Sequence, residues 1–186
     1  MKTELQNAFQ ILLAYRGHDL RGDLPQIVHE LSILRRVSNW GVKDVPTLKL
    51  CMYHDLFEDT TCKPADLADV EGEEMAALVT EMTFRPKGDA ESGKDYQAYK
   101  QWALADYQNK SVESLVVKLA DRLCNVEDFM GEKSDYAPKY FRYANGLFDA
   151  ITKRSDEIGS KYGAKVLLNI FIDLNRFKVL FPDGGQ

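Results

Sequence analysis

The chain has 186 residues, of which 45% are apolar and 28% are charged, as is ordinary for a soluble globular protein. Its formal net charge of −5 argues against a nucleic-acid or anionic-membrane partner, since it supplies no overall basic field. No apolar run reaches the length of a membrane span, and the start MKTELQNAFQ lacks the apolar core of a signal peptide. We therefore expect a cytoplasmic protein in which Cys51, Cys62 and Cys124 are reduced thiols.

Helical periodicity dominates the chain, and no run of alternating apolar and polar residues predicts a strand. The pattern predicts a first helix over 4–15. A loop is expected over 16–23, where two glycines and four charges stand among few apolar residues. Pro25 suits the first turn of a second helix that runs to about Val37.

A third helix is expected to reach Asp59, with Asp44 as its N-cap and Pro46 just inside it. Further helices are predicted at 72–82, 93–108, 112–129, 137–160 and 163–180. The fold class that follows is all-α, a bundle of about seven or eight helices. We expect one domain over 1–186, with a frayed tail at 181–186.

The stretch HDLFEDTT at 54–61 brings titratable residues into an apolar run. If the third helix continues through it, Asp55, Glu58 and Asp59 share a face, with His54 at its edge. Like charges at this spacing repel, and burying any of them is costly, whereas a divalent metal among them would reverse both effects. A solvated acidic face is the alternative interpretation.

Two further helices carry a polar residue among apolar ones. Asp121 lies in VVKLADRLCNVEDF, with Asn125 one turn later on the same face. A buried aspartate requires a cation or hydrogen-bond donors, so a salt bridge is the alternative to metal ligation. His29 lies in PQIVHELSIL, and a single histidine in such a helix is more often structural than a ligand.

The order His29, His54-Asp55 and Asp121 resembles the HD superfamily of metal-dependent phosphohydrolases, in which four such residues bind one divalent cation inside an all-α bundle. HDLFEDT is similar to the H-D-x-x-E-D-T stretch of alarmone hydrolases, which remove the 3′ diphosphate of guanosine tetraphosphate. VKLADRLCNVEDF is similar to a second segment of that group. The resemblance covers about 10–155 and implies Mn²⁺, with Fe²⁺, Co²⁺ or Mg²⁺ as alternatives.

The resemblance also implies roles around the metal. Glu58 and Asp59 would orient the attacking water and take its proton. The substrate, a small nucleotide, would be bound by Arg16 beside the base, Asn125 at the ribose, and Lys100, Tyr140 and Arg142 at the phosphates. For Lys100 and Arg142 the alternative is a solvated helix face, and for Tyr140 it is packing in the protein interior.

The chain departs from the family pattern at two places. Glu30 follows the first metal histidine where the family usually has proline, and Arg16 is followed by Gly17 and His18 instead of an adjacent basic residue. An HD-type nucleotidase, or another nucleotide phosphohydrolase with a different substrate, is therefore an alternative function. A non-enzymatic binding or toxin-neutralising module is a second alternative.

Overall fold

The computed structural model describes residues 2–17, 19–21, 24–83, 105–132, 135–142 and 144–181, with the side chains of Glu132, Lys139 and Arg142 excepted. Within these ranges the backbone is almost entirely helical, and the all-α prediction is confirmed. The helix expected at 93–108 lies largely outside the described residues, as do residues 182–186 of the expected tail. The chain divides into two compact units, 1–84 and 85–186.

The described part of the first unit is helical apart from one short hairpin. Its helices are α1 (Lys2–Arg16), α2 (Ile27–Trp40), α3 (Val45–Tyr53), α4 (Leu56–Asp59), α5 (Pro64–Glu71) and α6 (Glu73–Met82). The hairpin pairs β1 (Leu20–Arg21) with β2 (Leu24–Pro25) in antiparallel register. Two-residue strands are too short to show an alternating pattern, so the sequence predicts a loop over 16–23 and no strand. The prediction that Pro25 lies in the first turn of the second helix is wrong, because Pro25 pairs in β2 and α2 begins at Ile27.

Helix α3 is the centre of the first unit, because it packs against α1, α2 and α6. Its side chain Leu50 is fully buried, as are Leu12 on α1, Ile33 on α2 and Val79 on α6. The apolar spacing read from the sequence therefore corresponds to the faces that meet in this core.

The turn between α2 and α3 is specified locally. Gly41 ends α2 with φ 100°, and its N–H donates to the carbonyl of Ser38, while the N–H of Val42 donates to the carbonyl of Val37. Glycine takes this left-handed conformation without a Cβ penalty. Asp44 then caps α3 by accepting the N–H of Thr47 at 3.0 Å, as predicted.

The prediction of one helix reaching Asp59 is wrong at its centre. Helix α3 ends at Tyr53, and Asp55 has φ −108° and ψ 11°, outside helical values. The carbonyl of Asp55 accepts the N–H groups of Glu58 and Asp59 at 3.2 and 3.1 Å and so opens α4. The break places His54 and Asp55 in a turn, and the same Asp55 carbonyl also accepts a bond from Arg16, 39 residues away, a contact that helical periodicity cannot predict.

The second unit contains the helices α7 (Val112–Glu132), α8 (Ala137–Arg142), α9 (Asn145–Lys153), α10 (Ser155–Tyr162) and α11 (Ala164–Leu180). The helices predicted at 112–129 and 163–180 are confirmed. The single helix predicted at 137–160 is wrong, since α8, α9 and α10 replace it. Between α9 and α10 the backbone leaves helical values at Arg154, whose guanidinium bonds the carbonyl of Lys110.

Helix α7 forms the core of the second unit by packing against α8, α9 and α10. Leu115, Leu119 and Leu123 on α7 are fully buried, and the ring of Phe141 lies 4.9 Å from that of Phe148. The helices bounded above number eleven, and residues 105–109 are helical as well, so the described ranges hold more helices than the seven or eight predicted. Two predicted helices are interrupted, and α5 forms where none of the predicted helices lies. None of the helices in these ranges is long and apolar enough to cross a membrane.

Candidate metal centre

Three of the predicted ligands meet where α3 ends. His29 lies in the first turn of α2, His54 directly follows α3, and Asp55 comes next. One ligand atom from each residue lies within 4.8 Å of the other two, and the two imidazole centroids are 5.7 Å apart. Both histidines are buried, whereas the side chain of Asp55 is 21% exposed. This spacing allows one cation to be shared by all three.

The orientation of His54 is fixed by a backbone carbonyl of the preceding helix, α3. Its Nδ1 lies 3.1 Å from the carbonyl oxygen of Cys51, and a carbonyl only accepts, so Nδ1 carries the hydrogen. The lone pair of a neutral ring is then on Nε2, which lies 2.9 Å from Oδ2 of Asp55. The ring therefore presents its ligating nitrogen toward the carboxylate that would share the metal.

The chemistry of this donor set fits a divalent ion. Two neutral imidazoles with a carboxylate suit borderline-to-hard cations such as Mn²⁺ or Fe²⁺ better than thiolate-seeking metals. A positive charge between the buried imidazole nitrogens and the carboxylate would also stabilise their close packing electrostatically. The residues present therefore fit the metal that the resemblance implies.

Two further acids, on α4, follow the three predicted ligands in the chain. Glu58 and Asp59 are both exposed, and 51% of the side chain of Asp59 is accessible to solvent. Its Oδ2 accepts a hydrogen bond from Nη2 of Arg16 at 3.2 Å. The acids are therefore accessible to solvent one turn beyond the ligands, although the face they share is that of α4 and not of a continuous helix.

Sequence reasoning missed a buried ion pair between Arg16 and Glu30. The Nε of Arg16 lies 3.0 Å from Oε1 of Glu30, and their side chains are only 2% and 1% exposed. Burial raises the pKa of Glu30, and the charge of Arg16 opposes that shift. The available signal was an acid, Glu30, within an apolar helical pattern, whereas Arg16 was assigned to a loop, and the pairing itself is not readable from their spacing.

Asp121 and Asn125 lie on α7 in the second unit. Both are buried, and the amide nitrogen of Asn125 donates to Oδ1 of Asp121 at 2.5 Å. The shared face that their spacing predicts is confirmed. Metal ligation by Asp121 and ribose binding by Asn125 stay predictions.

Tyr140 on α8 is partly buried among aromatic rings. Its ring centroid lies 4.9 Å from that of Phe129, and the guanidinium carbon of Arg122 is 4.2 Å from the ring. Arg122 also acts on Tyr107: burial raises the pKa of Tyr107, and the charge of Arg122 opposes that shift. Arg122 was missed although it stands in the same apolar stretch as Asp121, which was the signal that could have found it.

The remaining residues of the predicted site are only partly accounted for. Lys100 lies outside the described residues, and of Arg142 only the backbone, in α8, is described. Phosphate binding by Lys100 and Arg142 therefore stays a prediction. Base recognition by Arg16 and phosphate binding by Tyr140 also stay predictions.

Comparisons with known proteins support the resemblance read from the motifs, although no protein-family model matches the chain. It is 28% identical over 178 residues to a probable guanosine-3′,5′-bis(diphosphate) 3′-pyrophosphohydrolase of Mycoplasma pneumoniae, covering 86% of this chain and 24% of that protein. It is 29% identical over 126 residues to the guanosine-3′,5′-bis(diphosphate) 3′-pyrophosphohydrolase of Aquifex aeolicus, covering 67% of this chain and 17% of that protein. The chain thus spans about a quarter or less of the length of these curated relatives.

A solved structure shares the fold. It is described as a metazoan ortholog of SpoT that hydrolyzes ppGpp and plays a role in starvation responses. The TM-score is 0.69 at 20% identity, and the match covers 94% of this chain and 95% of that chain. The similarity to HD-type alarmone hydrolases is confirmed.

Proposed function

We propose that this chain, similar to HD-type alarmone hydrolases in sequence and fold, is a metal-dependent phosphohydrolase that removes the 3′ diphosphate of guanosine tetraphosphate or pentaphosphate. The observation that carries the proposal is the convergence of His29, His54 and Asp55 within 4.8 Å, followed by two accessible acids on α4. The names of the relatives support the choice of substrate.

In the proposed site, one divalent ion would be held by His29, His54 and Asp55, with Asp121 as the fourth ligand. We propose Mn²⁺ as this ion. When bound, such an ion supplies positive charge that polarises a phosphoryl oxygen and acidifies a coordinated water. His54 can ligate without moving, because the Cys51 carbonyl already holds its Nδ1 hydrogen. A ligand fixed in this way loses little entropy on binding.

Glu58 and Asp59 supply the base. A carboxylate must lie within hydrogen-bond reach of the water whose proton it takes, and both acids are open to solvent. Asp59 accepts from Arg16 through Oδ2, which orients the carboxylate while its other oxygen can receive the proton. The water oxygen then bonds to the phosphorus attached to the ribose, the bond from that phosphorus to the 3′ oxygen breaks, and the 3′ oxygen takes up the proton that the carboxylate received. The products are the nucleotide with a free 3′ hydroxyl and pyrophosphate.

On the substrate side we propose that Asn125 meets the ribose and that Tyr140, Arg142 and Lys100 meet the phosphates. The amide of Asn125 already donates to Asp121, so its oxygen is the atom we assign to a ribose hydroxyl. A tyrosine hydroxyl can donate to a phosphate, and arginine can bind one through two nitrogens.

A second candidate is hydrolysis of a different nucleotide by the same site. The observation that favours it is the buried Arg16–Glu30 pair, since an arginine held inside the protein is less able to recognise a guanine base. A nucleotidase acting on mononucleotides would need no such contact.

The test is product identification with the purified chain, Mn²⁺ and guanosine tetraphosphate, followed by ion-exchange chromatography and ³¹P NMR. We expect equal amounts of GDP and pyrophosphate, loss of both products in EDTA, and their return when Mn²⁺ is restored. Inorganic phosphate from a panel of mononucleotides, with guanosine tetraphosphate left intact, would favour the second candidate. Retained metal without hydrolysis of any nucleotide would overturn both and favour a binding module.

A further inference from the structure

Arg16 at the end of α1 binds three parts of the first unit at once. Its Nε lies 3.0 Å from Oε1 of Glu30 on α2, and its Nη2 donates to the carbonyl of Asp55 at 3.0 Å and to Oδ2 of Asp59 at 3.2 Å. The side chain of Arg16 is 2% exposed. Its guanidinium therefore joins α1, α2 and the start of α4 from inside the protein.

Glu30 holds this arginine in place. It is fully buried, one residue after the metal-ligand candidate His29. Gln26 donates to its Oε1 at 3.3 Å, and its Oε2 is buried with no hydrogen bond to the part of the chain that the structure describes. A carboxylate buried in this way needs a cation beside it, and Arg16 supplies that charge.

Helix α4 requires such an external tie. It is only four residues long, and a single isolated turn is unstable in water because few hydrogen bonds offset the cost of ordering it. Arg16 bonds the carbonyl that opens this turn and the carboxylate near its end. The planar guanidinium can bond in several directions with fixed geometry, which the ammonium of lysine cannot reproduce.

We infer that Arg16 and Glu30 are a positioning pair that sets the Asp59 carboxylate and the Asp55 backbone, in place of a role for Arg16 in recognising the nucleotide base. The inference rests on the proposed function, since it assigns the pair a task in that reaction. Glu30 fixes the position of Arg16, and Arg16 fixes the position of α4, the helix that carries Glu58 and Asp59.

The experiment combines kinetics and metal binding on four variants. Three are single changes, Arg16→Lys, Glu30→Gln and Asp59→Asn, and the fourth combines Arg16→Lys with Asp59→Asn. Turnover of guanosine tetraphosphate is measured at saturating Mn²⁺, and Mn²⁺ affinity is measured by isothermal titration calorimetry without substrate. For Arg16→Lys we expect kcat to fall on the order of 100-fold, as for a displaced catalytic group. KM should stay within about two-fold, since no substrate contact is lost.

The double variant distinguishes positioning from independent action. If Arg16 acts through Asp59, then in the Asp59→Asn background Arg16→Lys should lower kcat by less than about three-fold, because the group it positions is already gone. Mn²⁺ affinity should weaken about 10-fold in Arg16→Lys, as for loss of a contact that orients a ligand. Glu30→Gln should shift kcat and Mn²⁺ affinity in the same direction by smaller factors, and it keeps the test open if Arg16→Lys does not fold.

Arg154→Lys is the matched control, because Arg154 also joins a carboxylate, Glu157, to the backbone carbonyl of Lys110, but in the second unit. We expect it to leave kcat and Mn²⁺ affinity unchanged. A large rise in KM with kcat intact for Arg16→Lys, and wild-type behaviour of Glu30→Gln, would overturn the inference in favour of base recognition. Wild-type protein that binds Mn²⁺ but leaves guanosine tetraphosphate intact would instead overturn the proposed function, and the calorimetric arm would still test the pair.

Discussion

His54 lies where α3 ends, and its two ring nitrogens have separate tasks. Nδ1 donates to the Cys51 carbonyl, while Nε2 lies beside the carboxylate of Asp55. A continuous helix would direct Asp55 about 100° away from His54, whereas the turn at this point brings the two side chains to 2.9 Å. The chemistry of the pair thus depends on the interruption of the helix.

The acids of α4 should affect turnover and not metal binding. Changing Glu58→Gln together with Asp59→Asn keeps the size of both side chains but removes both bases. We expect turnover to fall by about 100-fold or more, the usual scale for a lost general base, with Mn²⁺ content unchanged. Activity assays and metal analysis of the same preparation check this outcome.

Stability separates this catalytic role from a structural one. Glu58 and Asp59 are exposed, so we expect the doubly changed protein to melt within a few degrees of the wild type. Unchanged turnover would contradict the catalytic role, and lost Mn²⁺ would make one of the two acids a ligand.

Asp121 should be required for metal. Asp121→Ala removes the proposed fourth ligand and leaves the amide of Asn125 without its present acceptor. We expect Mn²⁺ content and activity to disappear together, measured by inductively coupled plasma mass spectrometry and by product release. Asp106→Ala is the control, because Asp106 is a partly exposed acid of the same unit that pairs with Lys110. Full metal occupancy in Asp121→Ala would remove Asp121 from the ligand set.

At the scale of an element, α3 positions His54, because a cap defines where the helix begins and His54 follows directly where it ends. Asp44 caps it by accepting from the N–H and the hydroxyl of Thr47, at 3.0 and 2.6 Å. Its far end leads directly into His54. The stability of this short helix therefore bears on how well the histidine is placed.

Removing the cap of α3 should be measurable. Asp44→Ala leaves helix N–H groups without their acceptor, and we expect a loss of about 1 kcal/mol in the free energy of unfolding. For a chain of this size the melting temperature should fall by roughly 2–4 °C. Thermal denaturation checks it, with Asp44→Asn as the control that retains a capping oxygen. Equal destabilisation by both changes would show that the charge matters and the cap does not.

At the scale of the whole molecule, the proposed metal links stability to solution conditions. An ion that binds only the folded chain stabilises it by about 2.7 kcal/mol when present at 100 times its dissociation constant. We therefore expect Mn²⁺ to raise the melting temperature by roughly 5–11 °C over EDTA-treated protein. Differential scanning calorimetry measures the shift, and an unchanged melting temperature at saturating Mn²⁺ would contradict a bound metal.

The same linkage predicts a pH dependence. Protons compete with the metal for the imidazole nitrogens of His29 and His54, so acid favours the metal-free form. We expect the Mn²⁺-dependent stabilisation to fade as pH drops through about 6, near the range where histidine ordinarily titrates. Raising the Mn²⁺ concentration should move this loss to lower pH. A loss that does not move with Mn²⁺ would argue against histidine ligation.

Much of the fold was readable from the sequence because it depends on local patterns. The apolar spacing predicts α1, α2, α7 and α11, and the order Asp-x-Pro before α3 predicts its cap. The pairing of Asp121 with Asn125 was also readable, since residues four apart on a helix face each other. The convergence of His29 with His54 was expected only through the family resemblance.

Tertiary structure decided the features that join distant residues. The break after Tyr53 forms where the carbonyl of Asp55 meets Arg16, and Arg16 in turn meets Glu30 on another helix. Sequence spacing carries no information on such pairs, because their partners come together only when α1, α2 and the turn before α4 are packed. The sequence by itself therefore determined which residues could bind a metal. Only the folded chain determined that His54 and Asp55 lie in a turn and that the buried Arg16 donates to the Asp55 carbonyl.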